Sequence, residues 1–408
     1  MGFFKETIRN VPLSGDTVLV RADYNVPLDN EGNISDDLRI KASLPTLRYL
    51  LKRGCKVVII SHLGRPEGHE KKYSLEPIAN RLSELLKKEV TFVDDTVGDT
   101  VYQAVRRAPK NSVLLLENLR FYEEEEKDSH AFAKAIVRST RAAYFVQDGF
   151  GVVHRAHAST HALTLYLPSV AGLLLEKEYS TITKAMSAPK QPLVAIMGGA
   201  KVSDKIGVIE RFVAIADKIL IGGAMANTFL AYRGLGTGAS KVESDQKETL
   251  DRLYTAAAAK VGAGNVDDFI ILPVDVAVAP RIDPSEKRHI RAVTAIAADD
   301  IALDVGDKSI EIIAAHIASA KTVIWNGTLG YAELPEFAHG SARLALALAT
   351  HPDIKSIIGG GDTADFALKW DGGTGNSFSH VSTGGGASLD LMAGKKLPGV
   401  ESLLDARN

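Results

Sequence analysis

Short runs of β-branched and aliphatic residues recur along the whole chain, separated by longer amphipathic stretches. This alternation constrains the fold more than any other feature. In the first half the runs are TVLVRA, KVVIIS, VTFV, SVLLL and AAYFVQD; in the second they are PLVAIM, KILIGG, FIILP, TVIWN and SIIGGG. Runs that are apolar at nearly every position suit strands covered on both faces, as in a parallel sheet flanked by its crossover helices. Segments such as SLEPIANRLSELLKK (74–88) and HAFAKAIVRS (130–139) carry the spacing expected of those helices.

The chain has 408 residues, a length that favours two domains. A boundary is expected in GLLLEKEYSTITKAMSAPKQP (172–192), where an amphipathic stretch is followed by Pro189 and Pro192 before a new strand run. The reading is α/β: two similar-sized Rossmann-like domains, each a parallel sheet covered by helices. They span 1–171 and 189–390 and are joined by a helix at 172–188 with a hinge and a cleft. A formal net charge of −2 gives no footprint for nucleic acid, so any cationic site is local. One cysteine, Cys55 at the edge of a strand run, excludes an intrachain disulfide and reads as packing. The most apolar stretch, LTLYLPSVAGLLL, is interrupted by Pro168, Ser169 and Gly172, so no membrane span is expected. The start, MGFFKETIRN, lacks an apolar signal core, and Glu6 stands where a myristoylation signal at Gly2 would need Ser or Thr. A cytoplasmic protein is the expectation.

Ligands of open parallel sheets bind beyond the carboxyl ends of the strands, so the residues after each run carry the functional signal. In the first half these are RADYNVP, SHLGRP, LENLRF and GFGVVHRAHAST, which bring Arg21, His62, Arg65, Arg120, His154, Arg155 and His157, with Arg39 nearby. Arginine forks match phosphate or carboxylate oxygens, and several of them at one end of one sheet point to a small, highly charged anion. Asp23 and Asn25 can accept from a substrate hydroxyl or cap a turn before Pro27; the sequence leaves both open. Glu117 and Asn118 read as polar partners that hold the arginines, and FYEEEEKD (121–128) as a mostly solvated charge run.

In the second half the equivalent loops are glycine: GGAKVSDK, GGAMANTF, NGTLGYAE and GGGDTADF, followed by HVSTGGGASLD. Glycine loops allow close backbone approach by a polyphosphate, Lys201 and Lys205 add charge, and Asp362 is a plausible magnesium contact. There is no G-x-x-x-x-G-K-[ST] sequence and no G-x-G-x-x-G after a strand run, which argues against a P-loop enzyme or a nicotinamide dehydrogenase. No Ser-His-Asp or Cys-His arrangement is indicated. That silence fits phosphoryl transfer, which relies on alignment and charge neutralisation. A non-catalytic two-lobed binding protein remains the other reading.

The ordered set RADYNVP (21–27), DLRI (37–40), SHLGRP (61–66), LLLENLRF (114–121), GFGVVHRAHAS (149–159), GGAKVSDK (198–205), GGAMANTF (222–229), IWNGTLGYAE (324–333), GGGDT (359–363) and HVSTGGGASLD (380–390) resembles the phosphoglycerate kinases over essentially the whole chain. The resemblance implies reversible, Mg2+-dependent transfer of the acyl phosphate of 1,3-bisphosphoglycerate to ADP, giving 3-phosphoglycerate and ATP. It implies that Asp23, Asn25, Arg39, His62, Arg65, Arg120 and Arg155 bind the glycerate in the N-terminal lobe. In the C-terminal lobe it implies that Lys205, Glu333, Gly360, Gly361, Asp362 and Thr363 bind the nucleotide, with Asp362 toward the metal. Arg39 and Lys201 match the pair that stabilises charge on the migrating group. It further implies a monomer whose last segment, 391–408, returns to the first lobe. Five positions depart from the usual pattern. Thr328 stands where proline is normal and Ala332 where phenylalanine is; Gly149 and Val152–Val153 stand where alanine and small or hydroxyl residues are more usual.

Overall fold

A computed structural model describes residues 3–29 and 31–407. Gly2 and Asn408 lie outside the described residues. Two compact units emerge, one formed by Met1–Thr181 with Lys396–Asn408, the other by Ile182–Lys395. The division falls inside the helix Leu173–Ser187.

The first unit holds the strands β1 (Thr17–Arg21), β2 (Lys56–Ile60), β3 (Val90–Val93), β4 (Val113–Leu116), β5 (Tyr144–Gln147) and β6 (Ser169–Ala171). They form one parallel sheet in the order β3-β4-β2-β1-β5-β6. Alternation along the strands shows why every position is apolar. Val18, Val20, Val57, Ile59, Val113, Leu115 and Val146 enter one core. Leu19, Val58, Ile60, Leu114, Leu116 and Phe145 enter the other. With successive side chains on opposite faces, a strand buried on both sides cannot show a polar stripe. Cys55 is buried and donates through Sγ to the Leu13 carbonyl at 2.5 Å.

The returning chain end is pinned to this unit. The Glu6 N–H donates to the Leu404 carbonyl at 2.8 Å, Leu404 donates to the Ser169 carbonyl at 2.9 Å, and Gly399 donates to that of Val153 at 2.9 Å. The buried Lys5 ammonium donates to the carbonyls of Glu401 and Leu403 and to Asp405.

The second unit holds β7 (Leu193–Met197), β8 (Lys218–Ile221), β9 (Ile270–Ile271), β10 (Asp275–Ala279), β11 (His289–Ala292), β12 (Ile301–Val305), β13 (Thr322–Asn326), β14 (Lys355–Gly359) and β15 (His380–Val381). Six of them make a parallel sheet in the order β15-β14-β13-β7-β8-β9, which is the 3-2-1-4-5-6 arrangement of dinucleotide-binding sheets read from the other edge. The remaining three form an antiparallel sheet, β11-β10-β12, which the strand runs of the sequence do not announce.

Candidate active site

In the first unit β1 lies between β2 and β5, so the crossovers leave it in opposite directions and open a crevice at the carboxyl ends. Arg21, the last residue of β1, is buried and points away from that role. Its Nε donates to Ser159 Oγ at 2.7 Å, one Nη donates to the Ala22 carbonyl, and the other donates to His62 Nδ1 at 3.2 Å. Ser159 in turn donates through Oγ (2.5 Å) and its backbone N–H (3.0 Å) to Glu125, which is also buried. Arg21 therefore supports the site from beneath. Its charge is balanced by an acid hidden in the run that reads as solvated. Burial pushes the Glu125 carboxyl up, against the pull of Arg21 and Ser159.

Arginine can only donate, so His62 Nδ1 accepts and the neutral ring carries its proton on Nε2. Burial, together with Arg21, Arg120, Arg39 and His157, holds His62 well below the usual imidazole range. His157 is lowered to about 4 by burial and by Arg21, partly offset by Glu126. The positive charge of this site thus comes from arginines rather than from these histidines.

Those arginines lie close together. Burial lowers the Arg120 guanidinium against the pull of Glu126, and Arg155 and Arg65 lower it further. Arg120 donates to the Gly64 carbonyl at 2.6 Å and pairs with Glu126 at 3.0 Å, while Arg65 and Arg155 are exposed. Arg39, in the first turn of the helix Leu38–Lys52, pairs with Asp23 at 2.9 Å. Asp23 also accepts from the Asn25 backbone at 3.2 Å, and Asn25 Oδ1 accepts from the Gly64 N–H at 2.8 Å. Asp23 thus holds both the turn and a site arginine. Glu117 and Asn118 hold backbone instead of arginine side chains. Glu117 accepts from Ser74 Oγ and from the N–H groups of Leu75 and Asn118. Asn118 bonds Leu63 through both ends of its amide and donates to the Tyr73 carbonyl.

In the second unit the reversal of strand order falls between β7 and β13, and the loops after β7, β8 and β13 are joined by backbone hydrogen bonds. Gly198 donates to the Asn326 carbonyl, Gly199 to that of Thr328, Gly223 to that of Leu329 and Met225 to that of Gly199, each at 2.9 Å. A Cβ on Gly198 would stand 2.2 Å from the Thr328 oxygen, and one on Gly327 would stand 2.2 Å from the Gly198 carbonyl. Glycine is required here because backbone packs on backbone. Thr328 contributes its carbonyl to this lattice, a group that any residue at this position supplies.

Lys205 reaches into the seam and donates to the carbonyls of Gly198 (2.7 Å) and Asn326 (3.3 Å). Burial lowers it to about 8 against the pull of Asp362 and Asp204. Asp362, exposed, sits in the first turn of the helix Gly361–Trp370, and Thr363 Oγ1 behind it accepts from the Gly327 N–H at 2.7 Å. Gly360 caps that helix and Gly361 opens it, and Glu333 is exposed after the β13 loop. Lys201 is exposed. Its loop is strapped by Glu243, which accepts from the N–H groups of Val202 (2.8 Å) and Ser203 (3.1 Å). A second carboxylate, Asp304, is buried and accepts from the N–H groups of Gly340 and Val305. Burial pushes it up to about 7. It lies where a Cβ on Gly330 or Gly340 would meet its Oδ1, so it holds the far end of the β13 loop.

A family model described as phosphoglycerate kinase matches residues 8–395. The chain belongs to the phosphoglycerate kinase family. It is 42% identical over 402 residues to the phosphoglycerate kinase of Pelotomaculum thermopropionicum, covering 98% of this chain and 99% of that one. It is 49% identical to the chloroplastic phosphoglycerate kinase of Volvox carteri, over 96% of this chain and 84% of the relative. The solved phosphoglycerate kinase of Coxiella burnetii superposes with a TM-score of 0.82 at 35% identity, covering 98% of both chains. The reaction is the phosphoglycerate kinase step of glycolysis, in which phosphate passes between a carboxyl group and a nucleotide.

The supports of the site carry little sequence signal. Glu125 is indistinguishable from its acidic neighbours, and Glu243 and Asp304 lie in stretches without a motif. Ser159 closes the motif GFGVVHRAHAS, and that position is its one available signal.

Proposed function

We propose that the glycerate substrate binds the first unit through Asp23, Asn25, Arg39, His62, Arg65, Arg120 and Arg155. ADP or ATP binds the second through Lys205, Glu333, Gly360, Gly361, Asp362 and Thr363. The observation that carries this division is the set of guanidinium groups after the strands of the first unit, with Arg65 and Arg155 exposed and Arg120 donating to the Gly64 carbonyl and paired with Glu126, against the backbone lattice of the second. Like charges held together in this way create demand for a polyanion.

Among the described residues no group of three or more His, Cys, Asp or Glu side chains is placed to hold a metal ion. A single exposed carboxylate at the nucleotide loop fits magnesium, which takes one or two protein oxygens and its other ligands from phosphates and water. Asp362 would hold it, and when bound it supplies neutralisation of phosphate charge. This chain's own residues do the rest. An oxygen of the ADP β-phosphate attacks the acyl phosphorus in line, and the carboxylate of 3-phosphoglycerate leaves. Arg39 and Lys201 stabilise the charge on the group in flight. His62 offers an Nε2–H while adding no charge of its own. Bringing groups from separate domains together calls for closure about the helix of 172–188, which also excludes water from the acyl phosphate. The working form is a monomer, with domains at 1–171 and 189–390 and the segment 391–408 serving the first. Among the described residues no helix is long and apolar enough to cross a membrane, and we place the protein in the cytoplasm.

A coupled assay of 3-phosphoglycerate-dependent ATP consumption, run with and without magnesium in Arg65→Ala and Asp362→Ala, tests the division. Arg65→Ala raises the KM for 3-phosphoglycerate and leaves that for ATP. Asp362→Ala weakens the magnesium dependence. The reverse pattern rejects the assignment.

A further inference from the structure

The first turn of the helix Leu173–Ser187 is tied down by two buried side chains, neither of which lies among the residues assigned to substrate. Asp148 follows β5 and is fully buried; its Oδ1 accepts from the Leu174 N–H at 3.0 Å and from Thr46 Oγ1 at 2.8 Å. Thr46, also fully buried, accepts through the same hydroxyl from the Leu173 N–H at 2.9 Å. The residue before the helix is Gly172, whose N–H donates to the Gln147 carbonyl at 2.8 Å. A Cβ there would stand 2.0 Å from Asp148 Oδ1. The contact is too close for any side chain, and it joins three segments at one oxygen.

Each of those segments leads elsewhere. Thr46 belongs to the helix Leu38–Lys52, whose second residue is Arg39; seven residues of helix separate them by about 10 Å. Asp148 immediately precedes the loop that carries Arg155. The helix that donates both bonds runs across the division between the compact units. Asp148 Oδ2 has no hydrogen-bond partner, so the carboxylate is committed to this junction by one oxygen, at the cost of burying the other. Burial pushes its carboxyl up to about 7 against the pull of Thr46 and the helix N–H groups. A plain helix cap is normally local and solvated; this one is brought from a neighbouring strand and buried.

We infer that Thr46 and Asp148 form a positioning joint that makes the connecting helix move with the elements bearing Arg39 and Arg155. Occupation of the anion site is thereby felt at the start of the helix. The inference rests on the assignment of Arg39 and Arg155 to the glycerate. It adds no contact to either substrate, so its loss slows closure without weakening binding.

Three measurements test it. In wild-type protein, saturating 3-phosphoglycerate without nucleotide slows hydrogen exchange at the Leu173 and Leu174 amides at least threefold; unchanged exchange overturns the joint. Thr46→Val, which keeps shape and removes the hydroxyl, lowers kcat about tenfold while KM for both substrates stays within twofold. Thr46→Ser restores kcat to within twofold of wild type. A folded Thr46→Val protein with normal kcat overturns the joint, as does one whose 3-phosphoglycerate KM rises tenfold, because that marks simple distortion of the site. Arg155→Ala serves as the control for the underlying assignment. If it leaves 3-phosphoglycerate affinity unchanged the site assignment fails, whatever the exchange data show.

Discussion

The strand ends of the first unit present guanidinium groups; those of the second present interlocked backbone. The sheets beneath are close cousins, each six-stranded and parallel, so the difference lies in the loops beyond the strands. Long cationic side chains need scaffolding, and the first unit provides it through a buried relay, Glu125 to Ser159 to Arg21 to His62. Backbone donors need only proximity, and the second unit achieves it by removing side chains from Gly198 and Gly327. A charged site of this kind tolerates loss of one member with its fold intact. An interlocked site does not.

The largest expected effect crosses the comparison. Arg39→Ala and Lys201→Ala each lower kcat about 10²–10³-fold, the loss typical of removing one preorganised group that stabilises transition-state charge. Both are partly or fully exposed, so circular dichroism and melting remain near wild type. Near-normal turnover in either folded variant removes that residue from the transferring group.

The next effect separates the two kinds of site. Arg65→Ala deletes an exposed cation and raises the KM for 3-phosphoglycerate roughly tenfold or more, as expected for a charge-assisted hydrogen bond of about 1.5–3 kcal/mol, without a change in melting. Gly327→Ala places a methyl against the Gly198 carbonyl at a positive φ and destabilises the second unit by about 1–3 kcal/mol. Denaturant melts with and without ATP measure both. If Gly327→Ala melts like wild type while Arg65→Ala unfolds, the contrast between the units is reversed.

How much of this is legible in the sequence depends on whether a residue's partner is near along the chain. Strands buried on both faces announce themselves, as the runs over β1, β2, β4, β7 and β13 do. The strand β11 is exposed at all four positions and offers no apolar signal. β10 is wholly buried, but Asp275 opens it and Pro273 and Pro280 flank it, which is the punctuation of a loop. Most site cations are visible because they lie in the motifs that follow strands; Arg39, in the helix Leu38–Lys52, is an exception. The direction in which Arg21 points is not, since it is decided by Glu125 and Ser159, both far along the chain. Asp148 and Thr46 meet only after a strand, a helix and the connection have folded together.

Titration offers a smaller, finer test. The arginine site takes its positive charge from guanidinium groups, whereas Lys205 is lowered to about 8 by burial. In free protein this amine loses its proton as pH rises through 8, yet a phosphate calls for the charged form. Nucleotide Kd therefore rises above pH 8 by up to about tenfold per pH unit. Lys205→Arg, charged throughout, flattens that slope. Calorimetry from pH 7 to 9.5 distinguishes this from a pH-independent Kd, which would remove Lys205 from the phosphate.

The smallest effect concerns a departure inside the arginine unit. The family resemblance implies alanine where this chain has Gly149, and a Cβ there would meet the backbone of Ala22 at 3.1 Å, that of Asp23 at 3.2 Å and Val152 Cγ2 at 3.3 Å. Val152, another position where the resemblance implies a different residue, lies in tight contact with the point a methyl on residue 149 would occupy. This contact predicts that the two positions are coupled in packing. Gly149→Ala alone costs about 1 kcal/mol through crowding, and Val152→Thr alone costs a similar amount by burying a hydroxyl. Thr keeps a branched side chain but can turn its hydroxyl to the side the methyl approaches, so the double variant loses less than the sum. A double-mutant cycle in urea reads this as a favourable coupling of at least about 0.5 kcal/mol. Strict additivity would mean that the Ala22 and Asp23 backbone alone sets the limit at residue 149, and the relation between the two departures would be accidental.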